Sequence, residues 1–196
     1  MKKDIILAGV GGQGILSIAA TIGMAAISRN LYLKQAEVHG MSQRGGDVQS
    51  NLRLSDKPIA SDLIPLGKAD LIISVEPMES LRYLNSLNKD GWLITNTTPY
   101  KNIPDYPDEE ALMAEIKKQK HHIAIDADRI AKDIGTKKAA NIVVLGAASP
   151  FLDLRFEDLE NAIKTIFRKK GQEVIDRNIE ALRAGREFAE QYERPV

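Results

Sequence analysis

The chain contains no cysteine, which removes several chemistries from it at once. Disulfide bonds, a cysteine-ligated iron–sulfur cluster and a thiolate nucleophile are all excluded. The three histidines, at 39, 121 and 122, lack the spacing of metal ligands, so no metal site is predicted. No apolar run reaches the ~20 residues needed to span a bilayer. Since there is also no signal-peptide pattern, we expect a cytoplasmic protein.

Net charge is absent as well. Lys plus Arg and Asp plus Glu both number 27. No overall field therefore attracts nucleic acid or an anionic membrane, and neither is an expected partner. With 196 residues, 43% hydrophobic and 28% charged, the chain is expected to fold as one globular domain over 1–196.

Strands and helices alternate along most of the sequence. The patterns predict strands at 5–8, 31–38, 48–54, 70–75, 92–95 and 122–125, and helices at 13–28, 78–87, 108–120, 127–134, 156–168 and 172–192. Segment 139–148 fits either element, with helix favoured. Strand 48–54 alternates as if half-exposed, and Asp90-Gly91 marks a turn. The predicted fold is a three-layer α/β/α Rossmann-like domain with a mainly parallel sheet and a helical C-terminal segment at about 156–192.

A glycine-rich loop follows the first predicted strand. Residues 9–14, GVGGQG, fit the pattern G-x-G-x-x-G between a strand and a helix. Gly9 would permit the turn, Gly11 would let backbone approach a ligand, and Gly14 would let the helix pack closely on the sheet. The helix N-terminus would then favour a phosphate. The alternative is a simple turn without a ligand. Glu37 has a tolerable spacing for holding a ribose, yet no hydride-transfer site is recognisable.

The second unusual stretch is 37–46, EVHGMSQRGG; its part from 39 to 46 is expected to form a loop that leaves strand 31–38 at the same edge of the sheet. Arg44 could clamp a phosphate or carboxylate, or form a structural ion pair. Gly45 and Gly46 allow close backbone approach. His39 could exchange protons near neutral pH, or bond to backbone as an ordinary loop histidine.

Polar residues also follow two later strands. Glu76-Pro77 and Asn96-Thr97 should both lie at the carboxyl edge, where α/β proteins bind ligands. Each pair is also compatible with a helix cap or turn. Four polar strand ends meeting there favour a site more than any single residue does.

Together these segments resemble a known family. The motifs are 9–15 (GVGGQGI), 37–46, 64–65, 69–70, 76–77 and 96–97. They are similar to the pyruvate:ferredoxin oxidoreductase gamma-domain family. Within it, HGMSQRGG most resembles the group of indolepyruvate:ferredoxin oxidoreductase beta subunits. The similarity spans nearly the whole chain.

The resemblance implies a subunit of an enzyme that oxidatively decarboxylates a 2-oxoacid, with indolepyruvate or another aryl pyruvate favoured. The acyl group would pass to coenzyme A and the electrons to ferredoxin. Thiamine diphosphate, Mg²⁺ and the iron–sulfur clusters would sit on a larger partner subunit, so the isolated chain should be inactive. Coenzyme A is expected at the glycine loop. The predicted cofactor-binding residues are Gly9, Gly11, Gly12, Gln13, Gly14, Glu37, Arg44, Gly45, Gly46 and Asn96.

Two other functions stay open from the sequence alone. One is a non-enzymatic nucleotide-binding or regulatory module. The other is a stand-alone NAD or flavin oxidoreductase. No catalytic residue is assigned; His39 is only a candidate.

Overall fold

The computed structural model describes residues 1–39, 45–101 and 103–192, and the side chain of His39 lies outside this description. The strands are β1 (Lys2–Val10), β2 (Tyr32–His39), β3 (Asp47–Ser55), β4 (Ala69–Ser74), β5 (Leu87–Asn96) and β6 (His122–Ile125). The helices are α1 (Ile15–Ser28), α2 (Pro77–Arg82), α3 (Glu109–Lys117), α4 (Ala127–Asp133), α5 (Ala140–Ala148), α6 (Phe156–Ile166) and α7 (Gln172–Tyr192).

The strands form one sheet in the order β2-β3-β1-β4-β5-β6. The pairs β1–β4, β4–β5 and β5–β6 are parallel. Strand β3 is antiparallel to both β1 and β2. Strand β2 therefore runs in the same direction as β1, with β3 between them. The prediction of a mainly parallel sheet is confirmed, and the carboxyl ends of five strands share one edge.

Helices cover both faces of the sheet, which confirms the three-layer fold. The larger core lies between the sheet and α1, α4, α5, α6 and α7. A smaller core, containing Ile6, Ile72 and Leu93, packs under α2 and α3 on the opposite face. The apolar residues of the parallel strands are needed on both faces, which explains why runs such as Ile5–Ala8 do not alternate with polar residues.

Strand β3 is more buried than its alternating sequence predicts. Ser50 is fully buried and Asn51 is 4% exposed. The chain after β3 folds back over this part of the sheet: Arg53 donates to the carbonyls of Ser61 and Leu63 at 3.0 Å, and the Ile64 N–H donates to Asn51 Oδ1 at 3.3 Å. The predicted alternation holds at Gln49 and Arg53, which stay partly exposed between buried neighbours. Asn51 is the exception, because this loop covers it.

The predicted helix at 78–87 is also too long. Helix α2 ends at Arg82, a 3₁₀ turn follows at Leu84–Ser86, and β5 begins at Leu87. The predicted turn at Asp90-Gly91 lies inside β5, where pairing with β4 jumps from Leu87 to Trp92. The Asn88 side chain accepts the Asp90 N–H at 2.9 Å, so a local turn does exist there, within an interrupted strand.

The ambiguous segment 139–148 is helical, as favoured, and it packs against α7. Added to Gly146, a Cβ atom would lie 2.1 Å from the Leu182 carbonyl oxygen; added to Gly185, it would lie 1.9 Å from the Val143 oxygen. The two helices can approach this closely only because glycine has no side chain. The helical C-terminal segment is thus packed onto the core through α5.

Among the described residues, none of the helices combines the length and apolar character required to cross a lipid bilayer. The cytoplasmic location inferred from the sequence remains a prediction.

Candidate cofactor-binding site

The glycine loop has the predicted position between β1 and α1. Gly12 (φ +102°) and Gly14 (φ +82°) adopt left-handed conformations that other residues rarely tolerate. At Gly9, a Cβ atom would lie 2.4 Å from Val75 Cγ2. Gly9 lies within β1, so the prediction that it permits the turn was wrong; glycine is required there by its packing against Val75 at the end of β4.

Gln13 holds the loop together rather than pointing its amide to solvent. Its Oε1 accepts the Val10 N–H at 2.8 Å, and its Nε2 donates to the Val75 carbonyl at 3.4 Å. Both ends of the carboxamide are used by the protein. The Gln13 carboxamide therefore has a structural function. Its predicted ligand role would use the main chain or the remaining surface of the side chain.

The two glycine-rich segments meet through their backbones. The Gly11 N–H donates to the Gly46 carbonyl at 2.8 Å, and the Gly45 N–H approaches the Gly11 oxygen at 3.5 Å. A close backbone approach at Gly11 thus occurs, to the second loop; its approach to a ligand stays a prediction. Residues 40–44, including Arg44, lie outside the described residues, as does the His39 side chain. Their ligand and proton-transfer roles remain predictions.

Asn96 lies where the sequence placed it, at the carboxyl end of β5, and is 3% exposed. Its Nδ2 donates to Asp128 Oδ2 at 2.7 Å and to the Val75 carbonyl at 3.3 Å, while its Oδ1 accepts the Ala127 N–H at 3.0 Å. These bonds tie together the ends of β4, β5 and β6. Asn96 forms part of the cavity wall, with its carboxamide already engaged.

A cavity of about 730 Å³ opens beside the glycine loop, within the range of small-molecule sites. It lies at the carboxyl edge of the sheet and extends towards the helices of the larger core. Its walls come from the glycine loop, the ends of β4 and β5, and helices α5 and α7. Its lining includes Gly12, Gly14, Lys137, Lys138, Phe167 and Asn178.

Basic residues that the sequence did not single out line this cavity. Lys137 and Lys138 are exposed in the 3₁₀ turn before α5, and neither has an ion-pair partner in the part of the chain that the structure describes. Lys170 and Arg177 are also part of the lining; Arg177 is paired with Glu173 at 2.8 Å. The Lys137-Lys138 pair was visible in the sequence, but only the fold places it near Gly14.

The N-terminus of α1 opens on the same cavity. Gly14 occupies the cap position, no side chain caps this end, and its first turn contains no acidic residue. The Asn141 side chain instead fixes Gly14 by donating to its carbonyl at 3.0 Å. The Ser17 N–H donates to the Gly14 carbonyl at 3.0 Å, whereas the N–H groups of Ile15 and Leu16 have no backbone partner among the described residues and are left for water or an anion.

Glu37 lies farther from the glycine loop than in a dinucleotide-binding fold. Its strand β2 is separated from β1 by β3, whereas the ribose-binding acid normally lies on the strand beside β1. Two strand spacings amount to about 10 Å. Glu37 is half-buried and its carboxylate lies 3.5 Å from Gln35 Nε2.

Glu76 is fully buried at the carboxyl end of β4. Its carboxylate accepts the Glu79 N–H at 2.8 Å and the Tyr100 N–H at 3.2 Å, as well as the Tyr106 hydroxyl. Burial and this last bond raise the pKa of Tyr106 above its ordinary range. Glu76 is the N-cap of α2, so the cap alternative is the one observed, and its carboxylate also binds Tyr100 and Tyr106.

A second buried carboxylate, Glu79, lies three residues further on. Burial raises its pKa, and the opposing effect of Arg82, with Nε 2.9 Å from Oε2, only partly offsets this. Nearby Tyr83 has its pKa raised to about 12, mainly by burial and then by the charges of Asp47 and Glu79. This cluster lies on the α2 side of the sheet. No group of three or more potential metal-binding side chains occurs among the residues described.

This fold and site are those of a class of protein that comparison with known families identifies. The family model for pyruvate ferredoxin/flavodoxin oxidoreductase matches residues 4–188, so the chain belongs to this family. It is an oxidoreductase subunit of the 2-oxoacid:ferredoxin type, as the resemblance implied.

Its relatives include the indolepyruvate oxidoreductase subunit IorB of Archaeoglobus fulgidus, 37% identical over 94% of both chains. The same-named subunit of Pyrococcus horikoshii is 35% identical over 94% of this chain and 95% of that one. The common gamma subunit of pyruvate/ketoisovalerate oxidoreductases of Pyrococcus furiosus is 29% identical, covering 94% and 96%.

Two solved structures have the same fold. The pyruvate oxidoreductase subunit PORC of Thermotoga maritima superposes with a TM-score of 0.73 at 25% identity, covering 95% of this chain and 96% of that one. The 2-oxoglutarate:ferredoxin oxidoreductase of Magnetococcus marinus, solved with 2-oxoglutarate, coenzyme A and succinyl-CoA bound, gives 0.78 at 22% identity. It is matched over 97% of this chain, which spans only 31% of that longer chain.

Proposed function

We propose that this chain is the subunit of an aryl 2-oxoacid:ferredoxin oxidoreductase, acting on indolepyruvate or a similar substrate, that contributes a coenzyme A site. The holoenzyme would decarboxylate and oxidise the oxoacid, transfer the acyl group to coenzyme A and reduce ferredoxin. The relatives named for indolepyruvate support this substrate. One observation of the structure carries the proposed cofactor site: an uncapped helix N-terminus and unpaired lysines face one cavity.

Coenzyme A fits the chemistry of this cavity because it carries several phosphates. Main-chain N–H groups after Gly14 would donate to the oxygens of one phosphate group, and the positive end of α1 would stabilise its charge. Lys137 and Lys138 would pair with further phosphate oxygens at the rim. Because both lysines lack acidic partners in the described ranges, a bound phosphate would not need to break an existing ion pair.

Thiamine diphosphate, Mg²⁺ and the iron–sulfur clusters fit another chain better. With no cysteine, this chain cannot supply the thiolates that normally hold such clusters. The described residues also offer no group of three or more His, Asp or Glu side chains that could hold a metal ion. We therefore assign these groups to a larger partner subunit, which would also carry electrons to ferredoxin.

Helix α1 offers a surface for that partner. Its sequence, ILSIAATIGMAAIS, has no charged residue. Leu16 (55% exposed), Met24 (37%) and Ile27 (60%) follow one another along its outer side. Solvent-facing helix surfaces are normally polar, and an apolar one indicates a contact. We assign this stripe to the larger thiamine-binding subunit, because related chains join this fold to further segments, as in the ketoisovalerate oxidoreductase subunit VorA, of which the chain covers 36%.

A stand-alone NAD enzyme is less well supported. The insertion of β3 moves Glu37 away from the position in which an acid holds the ribose. A non-enzymatic binding module would share the cavity, and only activity separates it from the proposed function.

The test is reconstitution. We expect the purified chain and the purified thiamine-binding partner each to be inactive, and the co-expressed complex to reduce ferredoxin with indolepyruvate in a coenzyme A-dependent reaction. A panel of aryl, branched-chain and dicarboxylic 2-oxoacids then ranks the substrates. A partner that is fully active without this chain would overturn the proposal. Preference for a non-aryl oxoacid would overturn only the substrate assignment.

A further inference from the structure

The cavity has a second end that the glycine loop and lysines do not explain. Away from the loop, its walls are Val144 of α5, Phe167 after α6, and Val174 and Asn178 of α7. Val144 is fully buried and Phe167 is 8% exposed. These four residues are mostly apolar, and Lys170, whose Nζ lies 5.2 Å from the centre of the Phe167 ring, adds a positive charge beside them.

One buried polar side chain, that of Asn178, lies among these residues. Asn178 is 7% exposed, and its Nδ2 donates one hydrogen bond, to the Val174 carbonyl at 2.7 Å. Within the described part of the chain, its Oδ1 has no donor and its second N–H has no acceptor. Leaving such a buried group unsatisfied is unfavourable, so a group in the cavity wall is expected to have a partner.

We propose that Asn178 recognises the adenine base of a phosphorylated cofactor whose phosphates lie at the glycine loop. The free Oδ1 would accept from the adenine N6 amino group, and the second Nδ2–H would donate to N7. An asparagine carboxamide matches this edge of adenine, whereas guanine presents two acceptors there, O6 and N7. The apolar walls at Phe167 and Val174 would contact the faces of the base.

A single molecule can reach both ends, because Gly12, Gly14 and Asn178 line the same cavity of about 730 Å³. The inference rests on the proposed coenzyme A site, since it identifies which part of the cofactor lies where. It also goes further, as it assigns base specificity to the helical C-terminal segment rather than to the glycine loop. No sequence pattern indicated this role, because Asn178 lies within an amphipathic helix.

The experiment compares two probes that differ only in the base. ADP and GDP are titrated into the full chain by isothermal calorimetry. We expect ADP to bind on the order of tenfold more tightly than GDP, the size of one bidentate base contact. In Asn178→Leu, which keeps the volume but removes both polar atoms, ADP affinity should fall to that of GDP. The control Asn161→Leu changes an exposed asparagine of α6 and should leave both affinities unchanged.

Equal binding of ADP and GDP by the unmodified chain, or no binding of either, would overturn the proposal; this comparison needs no variant. Thermal unfolding checks that Asn178→Leu is folded. If it is not, Asn178→Asp, which retains an acceptor for N6 but cannot donate to N7, should reduce the preference for ADP. Neither equal binding nor absence of binding of the two nucleotides would overturn the proposed oxidoreductase activity, which is decided by the activity of the complex.

Discussion

The main-chain N–H of Gly11 donates to the carbonyl of Gly46 at 2.8 Å and thereby joins the two glycine-rich segments of the chain. The contact fixes the start of β3 beside the end of β1, at the carboxyl edge of the sheet. It explains why two motifs separated in sequence form one rim. The same edge includes Gly14, whose conformation is set by a residue of α5.

Replacing Gly14 by alanine should destabilise the fold and disturb the cavity. Gly14 has φ +82°, and an added Cβ would lie 2.6 Å from Asn141 Nδ2. The left-handed conformation alone costs ~1–2 kcal/mol for a residue with a side chain. Urea unfolding should therefore show a loss of at least this size.

The steric part of that loss can be separated from the conformational part. In the double variant Gly14→Ala/Asn141→Ala, the contact is relieved while the strained φ remains. A double-mutant cycle should give a favourable coupling between the two changes. Strict additivity would show that the contact with Asn141 contributes nothing.

Charges placed on α1 should weaken assembly without unfolding the chain. Leu16→Glu and Ile27→Glu change two side chains that are more than half exposed. Burying a carboxylate in an apolar contact is unfavourable. The affinity for the thiamine-binding partner should therefore fall at least tenfold, and less partner should co-purify. The matched control is Leu66→Glu, at 75% exposure on another part of the surface. Unchanged affinity in the α1 double variant would remove this helix from the interface.

The close packing of α5 and α7 should make Gly185 intolerant of any side chain. A Cβ atom would lie 1.9 Å from the Val143 oxygen, so the helices would have to separate. We expect Gly185→Ala to lower the free energy of unfolding by about 3 kcal/mol, at the upper end for overpacking. In the control Gly23→Ala, also within a helix, the new atom meets only the Leu33 side chain, at 3.1 Å. A similar loss in both variants would contradict the explanation.

Glu79 should make stability decrease with rising pH. Burial raises its pKa above 4.5 in the folded protein, so the folded state holds this proton more tightly than the unfolded state. Its contribution is therefore fully present below about pH 4.5 and is lost as pH rises through the folded pKa. Glu79→Gln cannot titrate, so its stability relative to wild type should improve as the pH rises from below about pH 4.5 through the raised pKa of Glu79.

The control for the pH experiment is Glu115→Gln. Glu115 forms the same i,i+3 pair, with Lys118, but is about half exposed. Its substitution should shift the unfolding free energy little at any pH. A Glu79→Gln profile parallel to that of the wild type would mean that Glu79 does not titrate differently on folding.

Much of the fold follows from local patterns. Strand β6 at His122–Ile125 and helix α7 at Gln172–Tyr192 have the predicted bounds, and the glycine loop between β1 and α1 was predicted from its motif. These elements are recognisable because apolar spacing, caps and glycines lie within the element itself.

The errors arise where distant segments decide the structure. The burial of Asn51 depends on the loop around Ile64, and the antiparallel insertion of β3 between β1 and β2 is a matter of strand pairing. Likewise, Lys138 and Asn178 become candidate site residues only when α5 and α7 pack beside the glycine loop. A sequence pattern cannot show which remote side chains share a cavity.

Coenzyme A titration of the Lys137→Glu/Lys138→Glu variant tests the central claim most directly. If phosphates bind between these lysines and α1, the affinity for coenzyme A should fall at least tenfold compared with wild type, and the loss should shrink as salt screens the charges. The control Lys117→Glu/Lys120→Glu makes the same change in net charge at exposed sites outside the cavity. Equal affinity in wild type and both variants would contradict the site; a loss confined to the Lys137/Lys138 variant is the result that we predict.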